Sequence, residues 1–270
     1  HRSGSIGCFY PCFGSIFLLT LLGGCQGSSS QPAVKLPVAS PATPAPIVEY
    51  QTHPLPQATI HLVKVPVESG YGVAVAIAPG VAAVDSFAQQ ANAIAALNGG
   101  FFDPVNQQST SYVTLQGRQV ADPRQNDRLM ANPNLAPYLE QILNRSEFRR
   151  YACPGGEQFA IARHRDPIPA GCRLVDAIGG GPRLLPQETS VQEGFVAQQN
   201  GTIVRDAIGS RQPNARSAIG LTADGSVVLV LVAQKTKTAE SGMSLPDLAA
   251  FLHQHGIEQA LNLDGGTSSA

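Results

Sequence analysis

The sequence predicts an α+β (mixed α/β) fold: a mixed β-sheet with short helices and glycine-rich turns at its strand ends, forming one domain over residues 59–270. Three observations lead there. Short apolar stretches of strand length recur along the chain, interrupted by a few stretches of helical spacing. Strand-like stretches run directly into Asn98-Gly99-Gly100, Gly179-Gly180-Gly181 and Asp264-Gly265-Gly266. The 27 glycines and 21 prolines make the chain rich in loops. With 43% apolar and 14% charged residues, the composition excludes a disordered chain. A net charge of −1 supplies no basic field, and the lack of Trp leaves no stacking platform, so no nucleic-acid partner is expected.

The chain opens at His1 rather than Met, and the expectation is that residues precede it. Arg2 stands ahead of an apolar run from Ile16 to Leu22, too short for a bilayer but suited to the core of a signal peptide. Leu22-Gly23-Gly24-Cys25 resembles a bacterial lipobox. Residues 1–25 therefore read as a signal peptide with Cys25 as the lipidation site, and Cys8 and Cys12 would leave with it. The alternative is a plain secretory signal in which Cys25 is incidental. Residues 26–58 carry Ser28-Ser29-Ser30 and Pro32, Pro37, Pro41, Pro44 and Pro46, which reads as a disordered tether. The implied partner is a membrane, reached through a lipid anchor.

Within the domain, residues 60–65 alternate as a strand, and residues 73–78 form another that Pro79-Gly80 closes. A short helix is expected over Val84 to Gln90, then a strand over Asn92 to Leu97. Residues 124–176 are less regular, with helical spacing from Leu135 to Phe148. They hold Cys153 and Cys172, which in an exported protein read as a structural disulfide worth roughly 3 kcal/mol for a loop of this length. A strand over Leu174 to Ile178 enters the glycine triplet, and residues 186–212 read as polar loop. Ser217 to Thr222 and Ser226 to Val232 flank the hairpin signal Asp224-Gly225. Ser244-Leu245-Pro246-Asp247 starts a capped helix with Leu245, Leu248, Ala249 and Leu252 on one face, ended by Gly256. A last strand covers Gln259 to Leu263.

This order permits a geometric expectation. A two-residue turn at 224–225 pairs Ala223 with Ser226 and Arg216 with Ala233. A strand–helix–strand unit sets the strand at 259–263 parallel to that at 226–232, which brings Arg216, Asp264 and the loop 234–243 to one sheet edge. Ligands of open α/β sheets bind at such an edge. Singly, each feature has an ordinary reading: Asn98 a left-handed turn, Asp264-Gly265 a plain turn, Arg216 a surface ion pair, the glycine triplet a corner. Together they favour a site. His53, His61, His164, His253 and His255 lack metal spacing and read as surface or structural; no cofactor is expected, and a divalent cation's part is left open.

Five stretches are similar to the phosphodiester glycosidase family: A-L-N-G-G-F-F at 96–102, A-I-G-G-G-P-R-L-L at 177–185, R-S-A-I-G-L at 216–221, S-G-M-S-L at 241–245 and A-L-N-L-D-G-G at 260–266. The resemblance covers most of residues 60–270. Departures are Ser217 for the family's Thr, Ala233-Gln234-Lys235 for its Asp-Gly-Arg, and Thr267 for its third Gly. Family members continue beyond the position of Ala270, so truncation at the C-terminus is expected.

The resemblance implies an exported hydrolase that cleaves the C1–O bond of a glycosyl 1-phosphodiester, with an envelope glycan as a candidate source of substrate. It assigns Asp264 to the developing charge at the anomeric carbon, as nucleophile or base. Arg216 is the expected phosphate fork. Asn98, Gly99 and the backbone of Gly180 and Gly181 are expected donors, with Asp103 a second carboxylate. Gly100, Asn262, Gly265, Gly266 and Thr267 complete the expected substrate contacts. The alternative from another class is a noncatalytic envelope lipoprotein module that binds glycan or a partner protein.

Overall fold

The computed structural model describes residues 46–235 and 240–270. The signal peptide, Cys25 and most of the tether lie outside the described residues.

Among the described residues, thirteen strands and four α-helices follow in order. β1 (Glu49–Pro54) and β2 (Ala58–Val65) form a hairpin, followed by α1 (Val84–Ala91), β3 (Val113–Leu115) and β4 (Arg118–Ala121). After α2 (Asp127–Met130) and α3 (Leu139–Ile142) come β5 (Ser146–Cys153), β6 (Gly156–Arg163), β7 (Arg173–Gly179) and β8 (Arg183–Leu185). β9 (Val196–Gln199), β10 (Thr202–Asp206), β11 (Arg216–Thr222), β12 (Val227–Gln234), α4 (Leu245–Gln254) and β13 (Ile257–Asn262) complete the chain.

The strands make a six-stranded sheet in the order β1-β2-β12-β11-β13-β8, a five-stranded sheet β4-β3-β7-β5-β6 and the hairpin β9-β10. Neighbouring strands pair antiparallel throughout. β11 lies between β12 and β13 and opposes both, so β12 and β13 run parallel to each other across it. That is the orientation the strand–helix–strand spacing predicts.

The six-stranded sheet is buried on two sides because its inner strands are apolar at consecutive positions. One face, with Ile60, Ala218, Val230, Val232 and Ala260, packs on Leu245, Leu248 and Leu252 of α4. The other, with Ile219, Leu221 and Leu261, meets Phe148 and Ile161 of the five-stranded sheet. All three α4 leucines are fully buried, each burial contributing about 1.5–3 kcal/mol. Ser244 caps this helix by accepting from the Asp247 N–H, and Gly256, at φ +75°, turns the chain out of it. Cys153, at the end of β5, is bonded to Cys172 over a separation of 19 residues.

Several expectations change. The tether ends earlier than residue 58, since residues 49–54 pair along β2. Residues 73–78 and 92–97 are largely apolar in sequence but form no strand; a strand needs a ladder partner, and among the described residues no named strand pairs with them. The helix expected over Leu135 to Phe148 shortens to α3 and yields to β5, whose Phe148 and Tyr151 are core residues. The polar stretch 186–212 contains the hairpin β9-β10, turned by Asn200 (φ 51°) and Gly201 (φ 78°). The β11-β12 turn spans three residues rather than two, with Gly225 left-handed at φ +80°. Arg216 therefore pairs with Val232, not Ala233.

Candidate active site

The three glycine-rich turns meet at one end of the six-stranded sheet. Their contacts explain why glycine stands there. A Cβ on Gly100 would lie 2.0 Å from the Gly179 carbonyl oxygen, and one on Gly180 would lie 2.7 Å from that of Asn262. Backbone hydrogen bonds sew the turns together: Gly181 N–H to Asn262 O (2.8 Å), Asn262 N–H to Pro182 O (3.0 Å) and Asp264 N–H to Gly99 O (3.0 Å). The Gly266 N–H reaches Ala215 O at 2.9 Å, which ties the last turn to the start of β11.

Asn98 is the clasp between the first and last turns. Its Nδ2 donates to Asp264 O at 2.9 Å, while its Oδ1 accepts from the Ser217 hydroxyl and from the Ala270 N–H. Ser217 is fully buried, on the face of β11 opposite Ala218. The sequence placed Ser217 in a motif without giving it a role. Asn262 is also buried, donating to Gly181 O and Leu263 O, so it shapes the turns from within.

Asp264 is half-buried at the centre of this arrangement. Burial pushes its carboxyl above the ordinary carboxylate range, against the opposing pull of the Ser268 hydroxyl and the Gly265 N–H. The Gly265 N–H donates to Oδ1 at 2.9 Å. A carboxylate kept partly dehydrated and close to backbone amides is suited to proton transfer or to stabilising positive charge.

The expected donors are engaged to different degrees. The N–H groups of Gly180 and Gly181 already donate to Ser146 O and Asn262 O. Among the described residues, the N–H groups of Gly99 and Gly100 have no protein acceptor. Gly265 and Gly266 serve the turn itself, and Thr267 is exposed at the rim.

Arg216 stands at the same sheet end, its Cδ 3.8 Å from where a Gly265 Cβ would sit. Its guanidinium, however, is buried and points into the protein. Nε donates to Met243 O (3.1 Å), Nη1 to Ile208 O (3.0 Å), and Nη2 to Gly209 O (2.6 Å) and Gln212 O (2.9 Å). Burial lowers its pKa to about 10, opposed by Asp206, and it stays charged at neutral pH. A fork already filled with four carbonyls does not take a phosphate in this arrangement. In this arrangement the guanidinium ties the 208–212 loop and Met243 to the start of β11, beside the Asp264 turn.

Glu193, fully buried, braces the second turn. It accepts from Ser146 N–H (2.9 Å), the Ser146 hydroxyl (2.8 Å), Arg183 N–H (3.2 Å) and the Thr189 hydroxyl. Nothing local marks it, because it sits in a polar stretch that reads as loop.

Asp103 stands in the loop that follows the first turn. Its Oδ1 accepts from Val105 N–H and its Oδ2 from Arg128 Nε, both at 2.8 Å. The Val105 N–H, with Arg128, holds its carboxyl below the ordinary range, so it stays ionised as an ion-pair partner. A cleft of about 280 Å³ opens beside it. Among the described residues no group of three or more His, Cys, Asp or Glu side chains is placed to hold a metal ion.

The model of a family described as phosphodiester glycosidase matches residues 91–270. Among solved structures, the catalytic domain of zebrafish N-acetylglucosamine-1-phosphodiester alpha-N-acetylglucosaminidase, auto-inhibited by its pro-peptide, is 19% identical with a TM-score of 0.54. That match covers 86% of this chain and 75% of the zebrafish one. A hypothetical protein from Synechocystis is 17% identical, with a TM-score of 0.47 over 84% of this chain and 59% of that one. No curated protein matches. At such identities the zebrafish likeness establishes the fold.

Proposed function

Because this chain belongs to the phosphodiester glycosidase family, we propose that it hydrolyses the C1–O bond of a sugar 1-phosphodiester, with Asp264 as the reacting carboxylate. The observation that carries this is the placement of Asp264, half-buried with a raised pKa, in a turn clasped by Asn98 and Gly99 of a separate motif.

In the reaction, the C1–O bond breaks with its electron pair going to the phosphate oxygen. Water adds to C1, and Asp264 takes the proton that water loses. The products are the free sugar and a phosphate monoester, and the carboxyl then returns its proton to solvent. A phosphate monoester is a good leaving group that departs without a general acid, so this reading uses one carboxylate where most glycosidases use a pair. The free N–H groups of Gly99 and Gly100 supply neutral donors beside it. Asn98 and Arg216 act as positioning residues, since their polar atoms serve the turns.

A noncatalytic envelope module is the competing reading, and the occupied fork of Arg216 favours it. Incubation with a chromogenic sugar 1-phosphodiester separates the two. Chromogen release that Asp264→Asn abolishes supports the hydrolase. Saturable binding of envelope phosphoglycan without release removes it. The lipobox-like sequence at Cys25 and the disulfide support export and lipid anchoring to a bacterial membrane. Labelled palmitate incorporated by the full chain but not by Cys25→Ser is the expected result, and equal labelling of both removes the anchor.

A further inference from the structure

The substrate of the proposed reaction is an anion, and the arginine expected to meet it is engaged elsewhere. A second guanidinium, that of Arg128 on α2, keeps its end free. Arg128 lines the cleft of about 280 Å³ together with Asp103, Val105, Thr110, Asn132 and Leu135. Its side chain is 54% exposed and uses only Nε, toward Asp103 Oδ2 at 2.8 Å. The Nη1–Nη2 edge has no partner among the described residues, and that edge is the one able to meet two phosphate oxygens at once. Asp103 is only 13% exposed and is itself fixed by the Val105 N–H, so the Nε contact sets the direction of the free edge.

The cleft adjoins the first glycine turn: Thr110 in its lining donates its N–H to Phe101 O and precedes Ser111, whose Oγ lies 3.3 Å from where a Gly100 Cβ would sit. Asp103 follows Gly99 by four residues, a span of at most about 14 Å for an extended chain. Gly99 O is hydrogen-bonded to the Asp264 N–H. The volume is near the lower end of the roughly 300–1,000 Å³ of small-molecule sites, and its lining mixes the Arg128 cation and the Asp103 carboxylate it pairs with amide, hydroxyl and aliphatic groups. That suits a phosphate with a small aglycone and not a long glycan. An exposed ion pair with a purely structural role would contribute little, about 0–1 kcal/mol, and would need no cleft.

We propose that this cleft is the subsite for the phosphate and aglycone of the diester, and that Arg128 is its phosphate-binding residue, with Asp103 as the positioning residue for Arg128. The inference rests on the glycosidase reading of Asp264. It is tested on the full chain by calorimetric titration with phenyl phosphate, which stands in for the leaving monoester, in parallel with turnover of a sugar 1-phosphodiester. Arg128→Gln is exposed and leaves the core untouched. The expected result is at least tenfold weaker phenyl phosphate binding and a KM for the diester raised by a similar factor, with kcat changed much less. Asn132→Asp, which adds a negative charge to the cleft while keeping its acceptor for Asn134 N–H, should weaken binding severalfold. No phenyl phosphate binding by the wild-type chain, or equal binding by Arg128→Gln, overturns the subsite while diester turnover leaves the Asp264 reading standing. Binding through Arg128 without any diester turnover overturns the aglycone assignment together with the glycosidase reading.

Discussion

The six-stranded sheet carries two Asp-Gly turns, and they behave in opposite ways. Asp224-Gly225 closes the β11-β12 hairpin at one end; Asp264-Gly265 follows β13 at the other. Asp224 is 62% exposed, accepts from the Ser226 N–H and the Thr222 hydroxyl, and lies 3.6 Å from Lys64. These hydrogen bonds, that of Thr222 foremost, hold its carboxyl well below the ordinary range. Asp264 also accepts hydrogen bonds, but burial outweighs them and its carboxyl is raised. The same dipeptide thus gives a turn stabiliser in water and a candidate catalytic group where two other turns exclude water. Solvation, and not residue identity, sets the difference.

The largest expected effect separates the two turns by activity. Asp264→Asn should lower turnover of a sugar 1-phosphodiester by at least ~100-fold, whereas Asp224→Asn should leave it near wild type. Comparable losses at both positions would mean that activity merely follows fold integrity, and the contrast would collapse. The same Asp264 variant should be as stable as wild type at neutral pH, or more so. A raised folded-state pKa means that ionisation opposes folding, so wild-type stability declines as pH rises from the ordinary carboxylate pKa through the raised one. Thermal melts of both proteins across that window check the sign.

Glycine substitutions give the next effect. Gly100→Ala forces a methyl against the Gly179 carbonyl and should cost about 1–3 kcal/mol or more, with loss of activity. Gly225→Ala meets only Val67 at 3.4 Å but is strained by its positive φ, costing about 1–2 kcal/mol with activity retained. Denaturant titration that ranks Gly225→Ala as the more damaging would show that the turns around Asp264 are looser than their contacts imply.

The smallest effect concerns Asp224 alone. A depressed pKa stabilises the fold above the ordinary carboxylate range, and that contribution is lost as pH falls through the folded-state value. Asp224→Asn should therefore lower the melting temperature slightly at pH 7, by an amount that shrinks on acidification. A deficit that grows toward low pH contradicts this assignment.

Much of the candidate site could be read in advance, because its parts are local. The three glycine turns, the capped helix α4 and the shared edge of β11, β12 and β13 follow from turn chemistry, apolar spacing and chain order. What failed depended on partners. Residues 73–78 carry a strand-like apolar run but find no sheet edge among the described residues, and the Asn200-Gly201 hairpin lay inside a stretch too polar to stand out. Glu193 and Ser217 gave no local sign of their burial.

By itself the sequence determined where the chain must turn and which faces must be buried, since glycine conformation and apolar periodicity act over a few residues. Only the tertiary structure decided what each polar group meets. Arg216 and Arg128 are the same side chain, yet one is enclosed by four carbonyls and the other keeps a free edge on a cleft. Hydrogen-bond saturation and dehydration are imposed by segments distant in the chain, which residue type and spacing do not encode.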